Sequence, residues 1–301
     1  MKIPPYLKPG DTIGIICPAG YMPVENAQTA INVLQEWGFK VVTGVTLGNQ
    51  HNYFAGSDDE RLSDLQSMMN DDSIKAILCA RGGYGTGRII DRISFKKFKK
   101  HPKWIIGFSD ITILHCHILS NYNIAGLHAP MAAAFNEEQY KNEFVQSLHE
   151  ALLGKKMKLR CAVHPFNRLG TTKGILVGGN LSILAHLTGT SSDIDTKNKI
   201  LFIEDIGEYI YNIDRMLYQL KRSGKFENLA GLIIGGFTEM KDTVIPFGKS
   251  IEDVIREIVD EYNFPVCFSF PVSHEKENYA LKVGLNYKLS IKEKKVTLQE
   301  Q

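Results

Sequence analysis

Ala76-Ile77-Leu78-Cys79-Ala80 is an unbroken apolar run bounded by Lys75 and Arg81. A strand with no polar face has to be covered on both sides, the condition of a parallel sheet held between helical layers. The neighbouring segments fit that requirement. Strand-like Thr12 to Cys17, Lys40 to Thr43 and Ile74 to Ala80 alternate with helix-like Val24 to Trp37, Asp58 to Asn70 and Arg88 to Ile93. Trp104 to Phe108 then reads as a short buried strand, and Ile111 to Leu119 has the apolar spacing of a helix packed on its sheet. Sites in such sheets gather where the strands end. The segments to inspect are therefore Pro18-Ala19-Gly20, Arg81 to Gly87, the turn at Ser109, and Leu127-His128-Ala129-Pro130.

A helical pattern from Glu137 to Leu153 closes the first half, and a basic, irregular stretch follows from Gly154 to about Gly170. The second half restarts with a strand at Thr172 to Val177, a Gly178-Gly179-Asn180 turn and a helix to Leu187. Strands at Ile200 to Ile203, Leu229 to Gly235 and Val266 to Phe270 alternate with helices at Ile210 to Ser223 and Ile251 to Tyr262. Two late strands lie near Tyr287 to Ile291 and Val296 to Leu298. The pattern predicts an α/β protein of two domains, residues 1–153 and 171–301, joined by a linker at 154–170, with more irregular and partly antiparallel strands in the second.

The composition narrows the function. A chain of 301 residues, 44% hydrophobic and 23% charged with a formal charge of +2, offers no strong field for nucleic acid or an anionic membrane. The opening Met1-Lys2-Ile3-Pro4-Pro5 lacks the apolar core of a secretory leader, and no apolar run approaches the ~20 residues of a membrane span. The expected compartment is the cytoplasm. Cys17, Cys79, Cys116, Cys161 and Cys267 are odd in number and scattered, with no C-x-x-C pair, and read as reduced, buried thiols. His115-Cys116-His117 is not read as a metal site, because residues two apart on a helix face different ways. Neither a metal nor a cofactor is expected.

Gly107-Phe108-Ser109-Asp110-Ile111 places a serine on the bend between strand and helix. Such a bend exposes a hydroxyl and aims the first helical N–H groups at an oxyanion formed nearby, a geometry suited to acyl transfer. Taken alone, the same residues read first as the cap of a helix, and Ile111 stands where a Gly-x-Ser-x-Gly elbow has its last glycine. Partners are needed. Gly82-Gly83-Tyr84-Gly85-Thr86-Gly87 fails both dinucleotide registers, since Arg88 and Ile90 occupy the required glycine positions, which weakens a nicotinamide oxidoreductase reading. Its backbone N–H groups remain available to an anion or carbonyl oxygen, though in isolation these glycines read first as a tight turn that needs positive φ.

Glu204 follows a buried strand and is suited to accept the N–H of a histidine, whereas Glu208 lies at a helix start where the dipole favours a carboxylate. His274, in a loop just past a strand, is the best-placed base, with His128 its main competitor. Ser109, Glu204 and His274 together supply nucleophile, orienting acid and base.

In that order, these segments resemble the LD-carboxypeptidases, serine peptidases that include the muramoyltetrapeptide carboxypeptidases and microcin self-immunity hydrolases. The resemblance spans nearly the whole chain: Pro9-Gly10-Asp11, Arg81 to Gly85, Gly107 to Asp110, His128 to Met131, Gly178 to Leu181, Phe202 to Glu208, Ile213 to Leu217, and His274. It implies a Rossmann-like parallel-sheet N-terminal domain carrying Ser109 and a smaller swivelling α/β C-terminal domain carrying Glu204 and His274. By the same resemblance Gly83 and Asp110 supply oxyanion-hole amides. The substrate implied is a peptide or muropeptide, cut at the L,D-amide before a terminal D-alanine during peptidoglycan recycling, by a homodimer. Arg81 and Asn180 are candidates to grip the terminal carboxylate. One departure is visible: the family's His-Gly-x-x-x-Asn loop reads His274-Glu275-Lys276-Glu277-Asn278 here. A peptidyl-nucleotide self-immunity hydrolase and a non-catalytic peptide-binding module are the alternatives.

Overall fold

The computed structural model describes residues 1–136 and 141–301 and divides into two units. The first is Met1–Lys155 with Tyr279–Lys282; the second is Lys156–Asn278 with Val283–Gln301.

The first unit runs β1 (Thr12–Ile16), α1 (Val24–Glu36), β2 (Lys40–Thr43), α2 (Asp58–Asn70), β3 (Ile74–Cys79), α3 (Thr86–Ile89), β4 (Trp104–Ile106), α4 (Thr112–Tyr122), β5 (Gly126–His128) and α5 (Glu143–Leu152). Its sheet has the order β2-β1-β3-β4-β5, with the late strand β11 (Leu281–Val283) added beside β5. The pairs from β2 to β5 are all parallel. Ile13, Ile15, Ile16, Ala76, Ile77, Leu78 and Trp104 to Ile106 are buried, as strands covered on both faces must be. Because these strands run the same way, the loops following β1, β3, β4 and β5 open on one edge of the sheet. Helix α2 is started firmly by a capping box: Glu60 N–H donates to Ser57 Oγ, and Ser57 N–H donates to Glu60 Oε2 at 2.7 Å.

The second unit contains β6 (Lys158–Cys161), β7 (Gly170–Asn180), α6 (Leu181–Leu187), β8 (Lys199–Ile206), α7 (Ile210–Arg222), β9 (Gly231–Thr238), α8 (Ile251–Val259), β10 (Val266–Cys267), β12 (Asn286–Lys292) and β13 (Lys295–Glu300). Its sheet is ordered β10-β9-β8-β7-β12-β13-β6. The β7 to β10 half is parallel and the β7-β12-β13-β6 half antiparallel, so the partly antiparallel character read from the sequence is present.

Several bounds differ from the sequence expectation. Residues 154–170 include β6, which pairs with β13 from Cys161↔Val296 to Lys158↔Gln299. Tyr279–Lys282 belongs to the first unit, where Ala280 N–H donates to Ser147 Oγ at 2.8 Å and Lys282 Nζ to the Lys155 carbonyl at 2.9 Å. Of the helix expected from Glu137, residues 137–140 lie outside the described residues; α5 begins at Glu143, capped by Asn142. Strand β10 stops at Cys267 because Ser269 turns into left-handed backbone (φ 53°).

Candidate active site

In the first unit the chain leaves β4 through Gly107 (φ 152°), passes extended Phe108, and bends at Ser109 into a 3-10 turn, Ser109–Ile111, that feeds α4. Ser109 has φ 60°, a left-handed conformation that costs a residue with a Cβ and persists only where its surroundings enforce it. Those surroundings are tightly packed. A Cβ on Gly107 would come within 2.9 Å of Ile111 Cγ1, and a Cβ on Gly82 within 2.9 Å of Ser109 Cβ and 3.1 Å of its Oγ. The glycine-rich loop after β3 therefore lies directly against the serine, and only a residue without a side chain fits at position 82.

Three further contacts hold these loops. The Asp110 carboxylate is buried and accepts the Thr86 N–H at 2.8 Å, tying the Ser109 turn to the start of α3. Gly20 N–H donates to the Gly82 carbonyl at 3.0 Å, joining the loops after β1 and β3. The fully buried Arg61 guanidinium donates through Nη1 to the carbonyls of Pro18 at 2.8 Å and Gly85 at 3.0 Å, and pairs with Asp58. Beneath the turn, His115 Nε2–H donates to the Gly107 carbonyl at 2.9 Å. Burial pushes the His115 pKa down to about 4, so the ring stays neutral and acts as a strut. Gly83 follows Gly82 with φ 91°, where a Cβ would lie 2.8 Å from Tyr53 Oη. Arg81 is exposed and donates to the Tyr21 carbonyl at 2.6 Å, and His128 is buried beside Phe108.

In the second unit Glu204, near the end of β8, is fully buried, and its Oε2 lies 2.6 Å from His274 Nδ1. Burial raises the Glu204 pKa, against which the hydrogen bond from His274 lowers it. An anionic carboxylate fixes Nδ1 as the protonated nitrogen of a neutral ring and leaves Nε2 as the basic one. Two glycines of β9 make this pairing possible. A Cβ on Gly235 would collide with the Val272 carbonyl, and one on Gly236 would lie 2.5 Å from Ser273 Cβ; Gly236 N–H instead donates to the Val272 carbonyl at 2.9 Å. The histidine loop thus rests flat on β9. Its turn is fixed by Ser273 Oγ, which accepts the Glu275 N–H at 3.0 Å and donates to the Glu277 carbonyl at 3.1 Å.

Asn180 hydrogen-bonds the Glu204 carboxylate and favours its charged form, whereas the neighbouring Asp205 charge opposes it. Asn180 pairs in register with Glu204 across β7 and β8. Its Oδ1 caps α6 through the Ile183 N–H at 3.2 Å, and its Nδ2 donates to Asp205 Oδ1 at 2.8 Å. Asp205 also accepts the Ser182 and Ile206 N–H groups at 2.9 and 2.8 Å. The Asn180 amide is engaged within the protein.

Sequence reasoning missed Gly82, Arg61, His115, Gly235 and Gly236 as supporting residues. The glycine pair inside strand β9 was a usable signal, since glycine in a strand interior often marks close backbone approach.

These two constellations sit on a chain that belongs to the LD-carboxypeptidase family: the family's N-terminal domain model matches residues 13–129 and its C-terminal domain model residues 173–289. Among its relatives is the probable murein peptide carboxypeptidase of Bacillus subtilis, 38% identical over 98% of this chain and 94% of that protein. The crystal structure of muramoyltetrapeptide carboxypeptidase from Oxalobacter formigenes superposes with a TM-score of 0.88 at 30% identity, covering 96% of this chain and 98% of that one. The microcin C7 self-immunity protein MccF of Escherichia coli is 26% identical over 97% of this chain and 94% of its own length. The α/β architecture, with a parallel-sheet N-terminal region and a separate C-terminal domain, is that of the solved family members.

Proposed function

We propose that this protein is a serine-type LD-carboxypeptidase that hydrolyses the L,D-amide bond before the terminal D-alanine of murein tetrapeptides. The observation that carries this reading is the Glu204–His274 hydrogen bond of 2.6 Å, in a chain whose relatives include proteins named murein peptide and muramoyltetrapeptide carboxypeptidase.

In this reading His274 Nε2 takes the proton of Ser109 Oγ as the oxygen attacks the scissile carbonyl carbon. The reaction requires those two atoms to come within about 3.2 Å. Glu204 holds Nδ1–H and stabilises the imidazolium. The Asp110 and Gly83 amides donate to the tetrahedral oxyanion. Collapse breaks the C–N bond, and His274 passes its proton to the departing D-alanine amine. Water, deprotonated by His274, then releases the peptide from Ser109. Of the two candidates for the terminal carboxylate, Arg81 keeps an exposed guanidinium and is the better suited, whereas Asn180 positions Asp205 and α6. The setting proposed is cytoplasmic peptidoglycan recycling by a homodimer without metal or cofactor.

Likeness to MccF supports one second reading, a self-immunity hydrolase acting on a peptidyl nucleotide. Mass spectrometry of the wild-type protein with defined tetrapeptides separates the two. Loss of one alanine residue is expected; inert tetrapeptide together with cleavage of an aminoacyl sulfamoyl adenosine would transfer the assignment to the second reading.

A further inference from the structure

We propose that Cys161 and Cys267 form a redox dithiol in the second unit, an oxidation site that takes a low-molecular-weight disulfide such as glutathione disulfide and closes to an intramolecular disulfide. This inference does not depend on the peptidase reading.

The sheet order places β6 and β10 at opposite edges, with five strands between them. Cys161 is the last residue of β6 and Cys267 the last of β10, yet their Sγ atoms lie 3.9 Å apart. The edges meet because the chain leaving β6 turns back along β10. Arg168 and Val266 exchange both backbone hydrogen bonds, at 2.9 and 3.2 Å, and Phe268 N–H donates to Asn167 Oδ1 at 2.7 Å. His164 stacks on Phe268 at 5.6 Å. The two thiols therefore sit on the seam of the curled sheet, held by main-chain contacts that persist whatever their oxidation state. A bond of about 2.05 Å needs the sulfurs to approach by roughly 2 Å, a distance that side-chain rotation supplies in part at each residue.

The two thiols are unequal in a way that assigns their roles. Cys161 is partly exposed and Cys267 buried, so an oxidant reaches only the first. Cys161, the thiol within reach of the oxidant, is therefore the attacking one, and Cys267 beside it resolves the mixed disulfide. Cys161 Sγ attacks one sulfur of glutathione disulfide, forming a mixed disulfide and releasing one glutathione thiolate. Cys267 loses its proton to solvent and its sulfur attacks Cys161 Sγ, expelling the second glutathione. Two protein thiols are oxidised and one disulfide is reduced to two thiols. By contrast Cys17, Cys79 and Cys116 are buried, and burial pushes the Cys17 thiol up to about 12 and raises that of Cys79.

The bond would span 106 positions of the chain, fastening the seam just ahead of the loop that carries His274. The test is exposure of the full chain to glutathione disulfide, then alkylation, intact mass measurement and peptide mapping. Loss of two hydrogens without retained glutathione is expected, with the crosslink mapped to Cys161 and Cys267 and a Tm raised by roughly 5 °C or more. Cys267→Ser should retain one glutathione on Cys161, and Cys161→Ser should leave Cys267 unmodified. Wild-type protein that keeps glutathione on Cys161 with Cys267 still alkylatable would overturn the proposal, as would two thiols left unoxidised.

Discussion

The Ser109 turn and the Glu204–His274 pair are built by opposite means. Ser109 is placed by backbone: glycines at 82 and 107, a left-handed φ, and carbonyls braced by Arg61 and His115. Glu204 and His274 are placed by one short side-chain hydrogen bond between a buried carboxylate and an imidazole. A site fixed by sterics fails when an atom is added. A site fixed by charge fails when a charge is removed while the shape is kept.

That contrast is broken most severely by Glu204→Gln. The amide keeps the volume but removes the charge that orients Nδ1–H and stabilises the imidazolium, so kcat on murein tetrapeptide should fall by about 10³ to 10⁴-fold. KM should change little, which separates the lost turnover from lost substrate binding. Gly82→Ala should fall next, by roughly 100-fold in kcat, because the new methyl group meets Ser109 at 2.9 Å and displaces the attacking oxygen. Its pH profile should match wild type, which separates the steric defect from the electrostatic one. Gly236→Ala probes one of the two steric elements beneath the histidine loop: its Cβ would press on Ser273 at 2.5 Å, lowering kcat roughly 10-fold and stability by about 1–3 kcal/mol in urea unfolding.

The smallest effect on rate concerns His115. Its folded-state pKa of about 4 lies below the ordinary 6.5, so the folded form resists protonation and its stabilising share is complete only above about pH 6.5. Stability should drop by about 2 kcal/mol from this group between pH 7 and pH 5, and fall further toward pH 4. His115→Gln, which keeps a donor for the Gly107 carbonyl but does not titrate, should flatten that part of the urea-midpoint profile.

Much of this was legible in the sequence. Lys40–Thr43 and Asp58–Asn70 were bounded as observed, because an apolar run and a Ser57–Glu60 cap are local signals. Glu204 and His274 were singled out by their positions just after apolar strands. The remainder is written in contacts between distant segments. Gly82 and Gly83 are indistinguishable until folding shows which one abuts Ser109. Arg61, within Asp58-Asp59-Glu60-Arg61, reads as part of a solvated helix start, yet it is fully buried because three loops turn their carbonyls toward it. Strand β6 was missed because Lys158-Leu159-Arg160-Cys161 lies in a basic, irregular stretch without an apolar run, and β11, of three residues, went unread too. The Cys161–Cys267 contact crosses a sheet whose curl no residue spacing reports.

The central proposition is that Ser109 and His274 act as a single unit, and a double-mutant comparison addresses it most directly. Turnover of murein tetrapeptide should be measured for Ser109→Ala, His274→Ala and the combined variant. Each single change should lose roughly 10⁴-fold or more, and the double variant should be no worse than the poorer single one. Losses that multiply, or a His274→Ala protein close to wild type, would contradict a shared proton relay.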